Sequence, residues 1–248
     1  MPEGVRGGEN MRYAIFADIH GNLEALEVAL ECARRRRLSH FQVLGDSLGY
    51  GANPNECLEW ALGNASLHVL GNHEAALLRK EIRERFNGWA LEAIDWTGAR
   101  LKPPLLAAIR ELPYIQFHGN IALAHGTLHS LEAFHYLLDE VGAFRSFLAT
   151  QSLFGFVGHT HVPSYFAEKS KTRGVLAQGV LKLKAGERYL LNPGSLGQPR
   201  DGDLRLSFGI FDEDELTFEI VRLPYDNKKA AGKILAEGLP AFLARRLL

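Results

Sequence analysis

Short apolar runs, each cut off by a polar residue and followed by a stretch of helical periodicity, recur along the first two thirds of the chain. The first is Tyr13 to Ala17, stopped by Asp18. An apolar run of that length between polar residues predicts a strand buried on both faces, as in a parallel sheet. Leu23, Leu26, Leu30 and Ala33 then return at helical spacing, with Glu24, Glu27 and Glu31 on the other face and Asn22 as the N-cap. Arg34 to Arg37 close this helix where cations suit its dipole, and read as a solvated helix end rather than a nucleic-acid patch. Phe41 to Leu44 predicts a second strand ending at Gly45-Asp46, residues 54–63 a helix, and Leu67 to Leu70 a third strand ending at Gly71-Asn72-His73-Glu74. Strand, polar end and helix in repetition are the grammar of βαβ units.

Residues 75–112 read as helical, broken at Pro103-Pro104 and ended at Leu112-Pro113. They are expected to serve as a lid or a subunit interface, with Trp89 and Trp96 as packing residues. Ile121 to Ala124 predicts a strand stopping at His125-Gly126, and a helix is expected over Leu131 to Leu148. Leu153 to Val157 predicts a further strand, stopping at Gly158-His159-Thr160-His161. Beyond residue 163 the pattern changes to short alternating strands at 165–168, 181–184, 189–191, 206–211 and 216–222, the last two joined by a hairpin turn. These are expected to be mostly antiparallel, a second sheet packed on the first. Residues 228–248 predict a closing amphipathic helix interrupted near Gly238-Leu239-Pro240. One domain over 1–248 is expected, with residues 1–10 as a disordered leader.

With 248 residues, 46% hydrophobic and 23% charged, the chain has the profile of a soluble α/β domain with a sizeable core. A formal net charge of -1 supplies no field that would draw it onto DNA, RNA or an anionic membrane. No apolar run is long enough to span a membrane, and Cys32 and Cys57 are isolated, so a reducing cytoplasm is the expected location.

The chemistry collects where the apolar runs stop. Asp18 and His20, Asp46, Asn72 and His73, His125, and His159 with His161 each stand at the end of a predicted strand. Parallel strands present their carboxyl ends on one edge of a sheet, so residues spread along the chain converge there. Two carboxylates, one amide and five imidazoles exceed what one tetrahedral zinc needs and suit two divalent ions. His40, His68 and His118 precede apolar runs on the opposite edge and read as structural, and His129 and His135, which flank a helix start, read as ordinary surface or helix histidines ahead of the alternative that they line the pocket.

In this order, Asp18-x-His20, Gly45-Asp46, Gly71-Asn72-His73-Glu74, His125-Gly126 and Gly158-His159-Thr160-His161 resemble the five motifs of the calcineurin-like metallophosphoesterases. The strings GDSLGYGANPNEC, LNPGSLGQPRDG and VRLPYD resemble a bacterial and archaeal branch of small phosphodiesterase-like proteins. The resemblance implies a four-layer αββα sandwich of two mixed sheets flanked by helices. It implies one metal on Asp18, His20 and His161, a second on Asn72, His125 and His159, and Asp46 bridging both. Manganese is favoured among manganese, iron, nickel, zinc and magnesium, and a hydroxide held between the ions would attack phosphorus. His73 is implied as general acid or transition-state stabiliser. Gly49 and Tyr50 occupy the positions of an Asp-Arg pair in the phosphatase branches, which favours a monoanionic diester, or a nucleotide, as substrate. Tyr50 either covers the substrate or is a turn residue, and Arg200 is either a phosphate contact or half of a surface ion pair with Asp201 or Asp203. A phosphomonoesterase, a nuclease or a non-catalytic scaffold on the same fold are the alternatives, and a homo-oligomer is left open.

Overall fold

A computed structural model describes residues 11–248; the leader expected over residues 1–10 lies outside the described residues. The strands are β1 Arg12–Phe16, β2 His40–Val43, β3 Ala65–His68, β4 Ile115–His118, β5 Ile121–Ala124, β6 Phe154–Phe156, β7 Ser164–Ala167, β8 Thr172–Val175, β9 Gly179–Lys182, β10 Tyr189–Asn192, β11 Leu206–Asp212 and β12 Thr217–Leu223. The helices are α1 Leu23–Arg35, α2 Pro54–Asn64, α3 Asn72–Leu78, α4 Lys80–Arg83, α5 Gly88–Arg100, α6 Pro103–Ile109, α7 Glu140–Leu148, α8 Asn227–Ala236 and α9 Ala241–Arg245.

Two six-stranded sheets result, ordered β3-β2-β1-β11-β12-β9 and β4-β5-β6-β10-β7-β8. β1, β2 and β3 run parallel in the first, and β5, β6 and β10 in the second. The remaining neighbours are antiparallel, so both sheets are mixed. This corrects the expectation that the strands beyond residue 163 form a sheet of their own. β9, β11 and β12 extend the first sheet, and β7, β8 and β10 the second. The physical reason is burial: β11 is buried at every position and closes the open edge of β1, with Tyr13 opposite Phe211.

Ile15, Leu123, Phe156, Phe211 and Phe218 fill the space between the sheets. Outside the first sheet, Ala25, Leu26 and Ala29 of α1, with Cys57 and Ala61 of α2, cover Ala14, Phe16 and Phe208. Outside the second, Ala143 and Phe147 of α7 cover Ala122, Ala124 and Leu190. The result is the four-layer αββα sandwich.

Three local expectations change. The run over 75–112 is four helices, the first beginning at Asn72. The helix expected over 131–148 is reduced to a 3-10 turn at Leu131–Ala133 and to α7, because Phe134 holds φ 50 and the irregular chain continues to Asp139, whose carboxylate accepts from the Gly142 amide at 2.8 Å to cap α7. β4 and β8 have no single apolar run to announce them; β8 is half-exposed or exposed throughout, at the rim of its sheet. Among the described residues no helix is long and apolar enough to cross a membrane.

Candidate metal centre

Asp18 and His20 follow β1, Asp46 follows β2, Asn72 and His73 open α3, His125 follows β5, and His159 and His161 follow β6. The carboxyl ends of parallel strands from both sheets, rather than from one, bring them together at the seam. None of the eight is more than 9% exposed. Asp46 Oδ2 stands 3.3 Å from His125 Nε2 and 3.7 Å from His20 Nε2. Asp18 Oδ1 stands 3.5 Å from His161 Nε2. Three overlapping groups have the reach of a shared ion: Asp18, His20 and His161; His20, Asp46 and His73; and Asp46, His125 and His159.

Hydrogen bonding decides which ring nitrogens are free. His20 Nδ1 donates to the Leu48 carbonyl at 3.1 Å, His125 Nδ1 to the Leu44 carbonyl at 2.7 Å, and His161 Nδ1 to the Gln198 carbonyl at 2.6 Å. A neutral imidazole carries one proton, so the Nε2 atoms of His20 and His161 are bare. Yet His20 Nε2 and His161 Nε2 face each other at 3.1 Å. His125 Nε2 stands 2.9 Å from Asn72 Oδ1 and 3.0 Å from His159 Nδ1, gathering the second set of donors. The opposed lone pairs of His20 and His161 repel at this distance unless a cation lies between them. Ligand atoms roughly 2.0–2.1 Å from one ion and at right angles around it stand about 3 Å apart. The oxygen and nitrogen donors therefore fit divalent cations, with backbone carbonyls orienting the rings as metal-ligating histidines require.

The charges point the same way. Burial, reinforced by Asp46, lifts the Asp18 carboxyl far above its usual range, against the pull of His125 and Arg200. Burial pushes His20, His159 and His161 well below the ordinary imidazole range, with like charges adding to it. Burial also works against charge on Asp46 and His125, but their contact wins: Asp46 stays ionised and His125 rises. A buried set of this kind is completed by added positive charge.

Glu74 holds the second strand end in place, a role that sequence reading did not assign although the residue stood inside a quoted motif. Its fully buried carboxylate accepts from the amides of Asp46 (2.9 Å), Ser47 (2.6 Å), Leu48 (3.4 Å) and Gly71 (3.2 Å). Burial, with the Asp46 charge beside it, raises its pKa. A side chain at Gly71 would collide with Asp46, so only glycine lets the two strand ends approach. The His73 amide donates to Asp46 Oδ1 at 2.9 Å, tying α3 to the same carboxylate.

The His73 ring belongs to the middle one of the three groups, with His20 and Asp46, its Nε2 3.9 Å from Asp46 Oδ2. Its Nδ1 is buried without a partner, and a Cβ on Gly49 would run into it, so no carboxylate can reach that nitrogen from position 49. Burial brings His73 down to about 4, against the opposing Asp46 charge. Tyr50 packs on both His20 and His73 with centroids 4.5 Å away, Phe86 on His73 at 4.8 Å, and Tyr136 lies flat on His159 at 3.9 Å and 10°. Phe86 and Tyr136 carried no sequence signal; each arrives from an irregular segment.

A cavity of about 300 Å³ opens beside His73 and His159, walled by Tyr50, Arg85, Phe86, Phe134 and Tyr136. His135 stands on its rim, and His129 packs against His135 at 5.9 Å. Arg200 reaches Tyr50 Oη at 3.5 Å and Gln198 Oε1 at 3.1 Å. The surface pairs considered for it are not formed: Asp201 binds Arg222, and Asp203 binds Arg205 at 2.7 Å. His40 and His118 pack against Tyr13 at the far edge, as expected. His68 does not: it ends β3 beside the site loop, its Nε2 3.3 Å from Ser47 Oγ.

Two packed mixed sheets with a buried Asp, Asn and His cluster where their parallel strands end define a metal-dependent phosphoesterase domain. Residues 11–216 match the model of the calcineurin-like phosphoesterase superfamily domain, and the chain belongs to that superfamily. It is 38% identical over 242 residues to the uncharacterized protein MJ0912 of Methanocaldococcus jannaschii, covering 94% of this chain and 96% of that one. The crystal structure of a metallophosphoesterase from Sphaerobacter thermophilus superposes with a TM-score of 0.86 at 34% identity, covering 96% of this chain and 98% of that one. Hypothetical protein PH1004 from Pyrococcus horikoshii OT3 shares the fold, with a TM-score of 0.76 at 17% identity over 95% of this chain and 97% of that one.

Proposed function

We propose that the protein is a phosphodiesterase with a binuclear metal centre. The observation that carries this reading is the position of Asp46, one carboxylate between two sets of imidazole nitrogens, 3.7 Å from His20 Nε2 and 3.3 Å from His125 Nε2. Asp18, His20 and His161 would hold one divalent cation, Asn72, His125 and His159 the other, and Asp46 would bridge them. The mixed donors suit manganese, iron, nickel, zinc or magnesium, and manganese is favoured. Bound there, the two ions would supply Lewis-acid activation of the phosphoryl group and of the attacking water.

The remaining work belongs to the chain. Glu74 keeps the Asp46 loop rigid, so the bridging oxygens need no reorganisation during the reaction. His73, with no carboxylate at Nδ1 to hold it protonated, is neutral and stabilises the developing oxyanion as a hydrogen-bond donor. Tyr50 and Phe86 shield its ring from water. Diester preference is supported by charge: Gly49 and Tyr50 at the second motif supply no cation to face the extra charge of a monoester. The cavity has the size of a small-ligand site and suits a small phosphodiester or a nucleotide.

The test compares bis(p-nitrophenyl) phosphate with p-nitrophenyl phosphate, using metal-stripped protein resupplied with Mn²⁺. Metal-dependent cleavage that favours the diester is the expected outcome. Dominant monoester cleavage would sink the diester preference and leave the metal centre standing. Silence on both substrates with two metals bound would make the fold a binding scaffold.

A further inference from the structure

Two arginines meet on one neutral oxygen beside Tyr50, a wall of the cavity. Arg200 Nη2 and Arg246 Nη1 each donate to Gln198 Oε1 at 3.1 Å. Neither has an ion-pair partner among the described residues, the nearby Asp201 and Asp203 being held by Arg222 and Arg205. Arg200 Nε is buried and makes no hydrogen bond. Burial and the Arg200 charge hold Arg246 below its usual range. Like charges gathered on an amide oxygen gain nothing from each other, and an anion between them relieves the repulsion.

The pair is built rather than incidental. Gln198 is 2% exposed, and its backbone carbonyl fixes His161, so the shared oxygen is anchored one residue from a candidate ligand. Arg246 is oriented from the opposite side: its guanidinium lies over Phe242 at 4.8 Å, and Phe242 stacks on Trp89 of α5 at 3.9 Å and 24°. Leu243, Ala244 and Leu247 are buried and hold this end of the chain against α5 and α8. A stacked guanidinium is a planar fork set in advance for an oxyanion. Tyr50 separates the two regions, since it lines the cavity and also meets Arg200.

We infer that Arg246, together with Arg200, forms a second anion subsite that receives a phosphoryl group carried by the substrate beyond the scissile diester, on the side away from the cavity. The substrate class is thus a nucleotide-type diester with a further phosphate on its retained half. This inference rests on the phosphodiesterase reading, and the C-terminal helix becomes part of substrate selection.

Two esters that differ in one group test it: thymidine 5′-(p-nitrophenyl phosphate) with and without a 3′-phosphate. The metal-loaded enzyme is expected to prefer the 3′-phosphorylated ester in kcat/KM. Arg246→Ala should cut that preference about tenfold, mainly through KM, as loss of one charge-assisted phosphate contact predicts. Arg245→Ala, which removes an exposed charge one residue away, should keep it. Equal losses on both esters in Arg246→Ala, or no preference in the unaltered enzyme, would overturn the subsite. Calorimetric titration of metal-free protein with thymidine 3′,5′-bisphosphate separates this inference from the reading beneath it. Cleavage of neither ester would end the phosphodiesterase reading, whereas equal bisphosphate affinity in the unaltered protein and Arg246→Ala would end the subsite.

Discussion

Asp18, His20, Asp46, His159 and His161 all hold φ between 50 and 66, a left-handed backbone that non-glycine residues seldom adopt. Each such residue costs on the order of 1 kcal/mol or more, and it persists only where the surroundings leave no alternative. Here the surroundings are visible. Each of these residues turns sharply off a strand end, and Glu74 binds four amides around the Asp46 turn. Glu74→Gln replaces an acceptor oxygen by a donor facing those amides. It should destabilise the metal-free protein by about 1–3 kcal/mol and weaken metal binding about 10–100-fold. Urea unfolding in EDTA and a Mn²⁺ titration read the two effects, and unchanged metal affinity would remove Glu74 from the site. His68 gives a pH signature. Burial lowers its pKa from 6.5 to about 4, so between those values the unfolded chain binds the proton and the folded chain does not. Stability present above pH 6.5 is therefore lost as the pH falls through this window, by up to about 3 kcal/mol. His68→Gln should lose less stability than the unaltered protein between pH 7 and 4, by urea midpoints at each pH. The motif letters were legible in the sequence; Glu74's role was not, because three of its four partners lie 26 to 28 residues away in a different loop.

The elements divide into those announced by periodicity and those set by neighbours. α1 was readable from its apolar face and its Asn22 cap, whose side chain accepts from the Ala25 amide at 3.1 Å. β4 and β8 were not, since the partner strand rather than an apolar run makes them strands. The helical segment after α3 packs on its own chain in two directions. Ile82 and Ile94 join Leu48, Leu58 and Leu70, while Ala93 joins the buried residues of α8 and α9. Trp96 Nε1 donates to the Glu237 carbonyl at 3.1 Å, tying α5 to the turn between α8 and α9. We propose that α4 and α5 act as a lid, since Ile82, Phe86 and Ala90 wall the cavity. Leu243, 1% exposed, is the buried centre of α9. Leu243→Ala should cost about 2–4 kcal/mol, measured by thermal unfolding. A loss well under 1 kcal/mol would mean that the C-terminal helices are loosely held.

At the scale of the whole molecule, a cation held at the seam would join the two sheets. Asp18, His20, Asp46 and Asn72 come from the first sheet's strand ends, and His125, His159 and His161 from the second's. Metal that binds only the folded chain stabilises it by about 4 kcal/mol at a thousand times its dissociation constant. Chelation should therefore lower the melting temperature by about 10 °C for a chain of this size, and Mn²⁺ should restore it. A melting temperature indifferent to EDTA and to added Mn²⁺ would count against resident metal at these residues.

The sequence by itself determined the class of the fold and the inventory of the centre. Apolar runs ending in Asp, Asn and His are local facts, and five of them in order resemble the motifs of one superfamily. Tertiary structure decided which strands share a sheet, which ring nitrogens are left bare, and that Arg246 stands beside Arg200. These depend on contacts between residues tens to hundreds of positions apart, such as His20 with His161 and Gln198 with Arg246. Periodicity reports which way a side chain faces within its own element, and carries no information about what it will meet there.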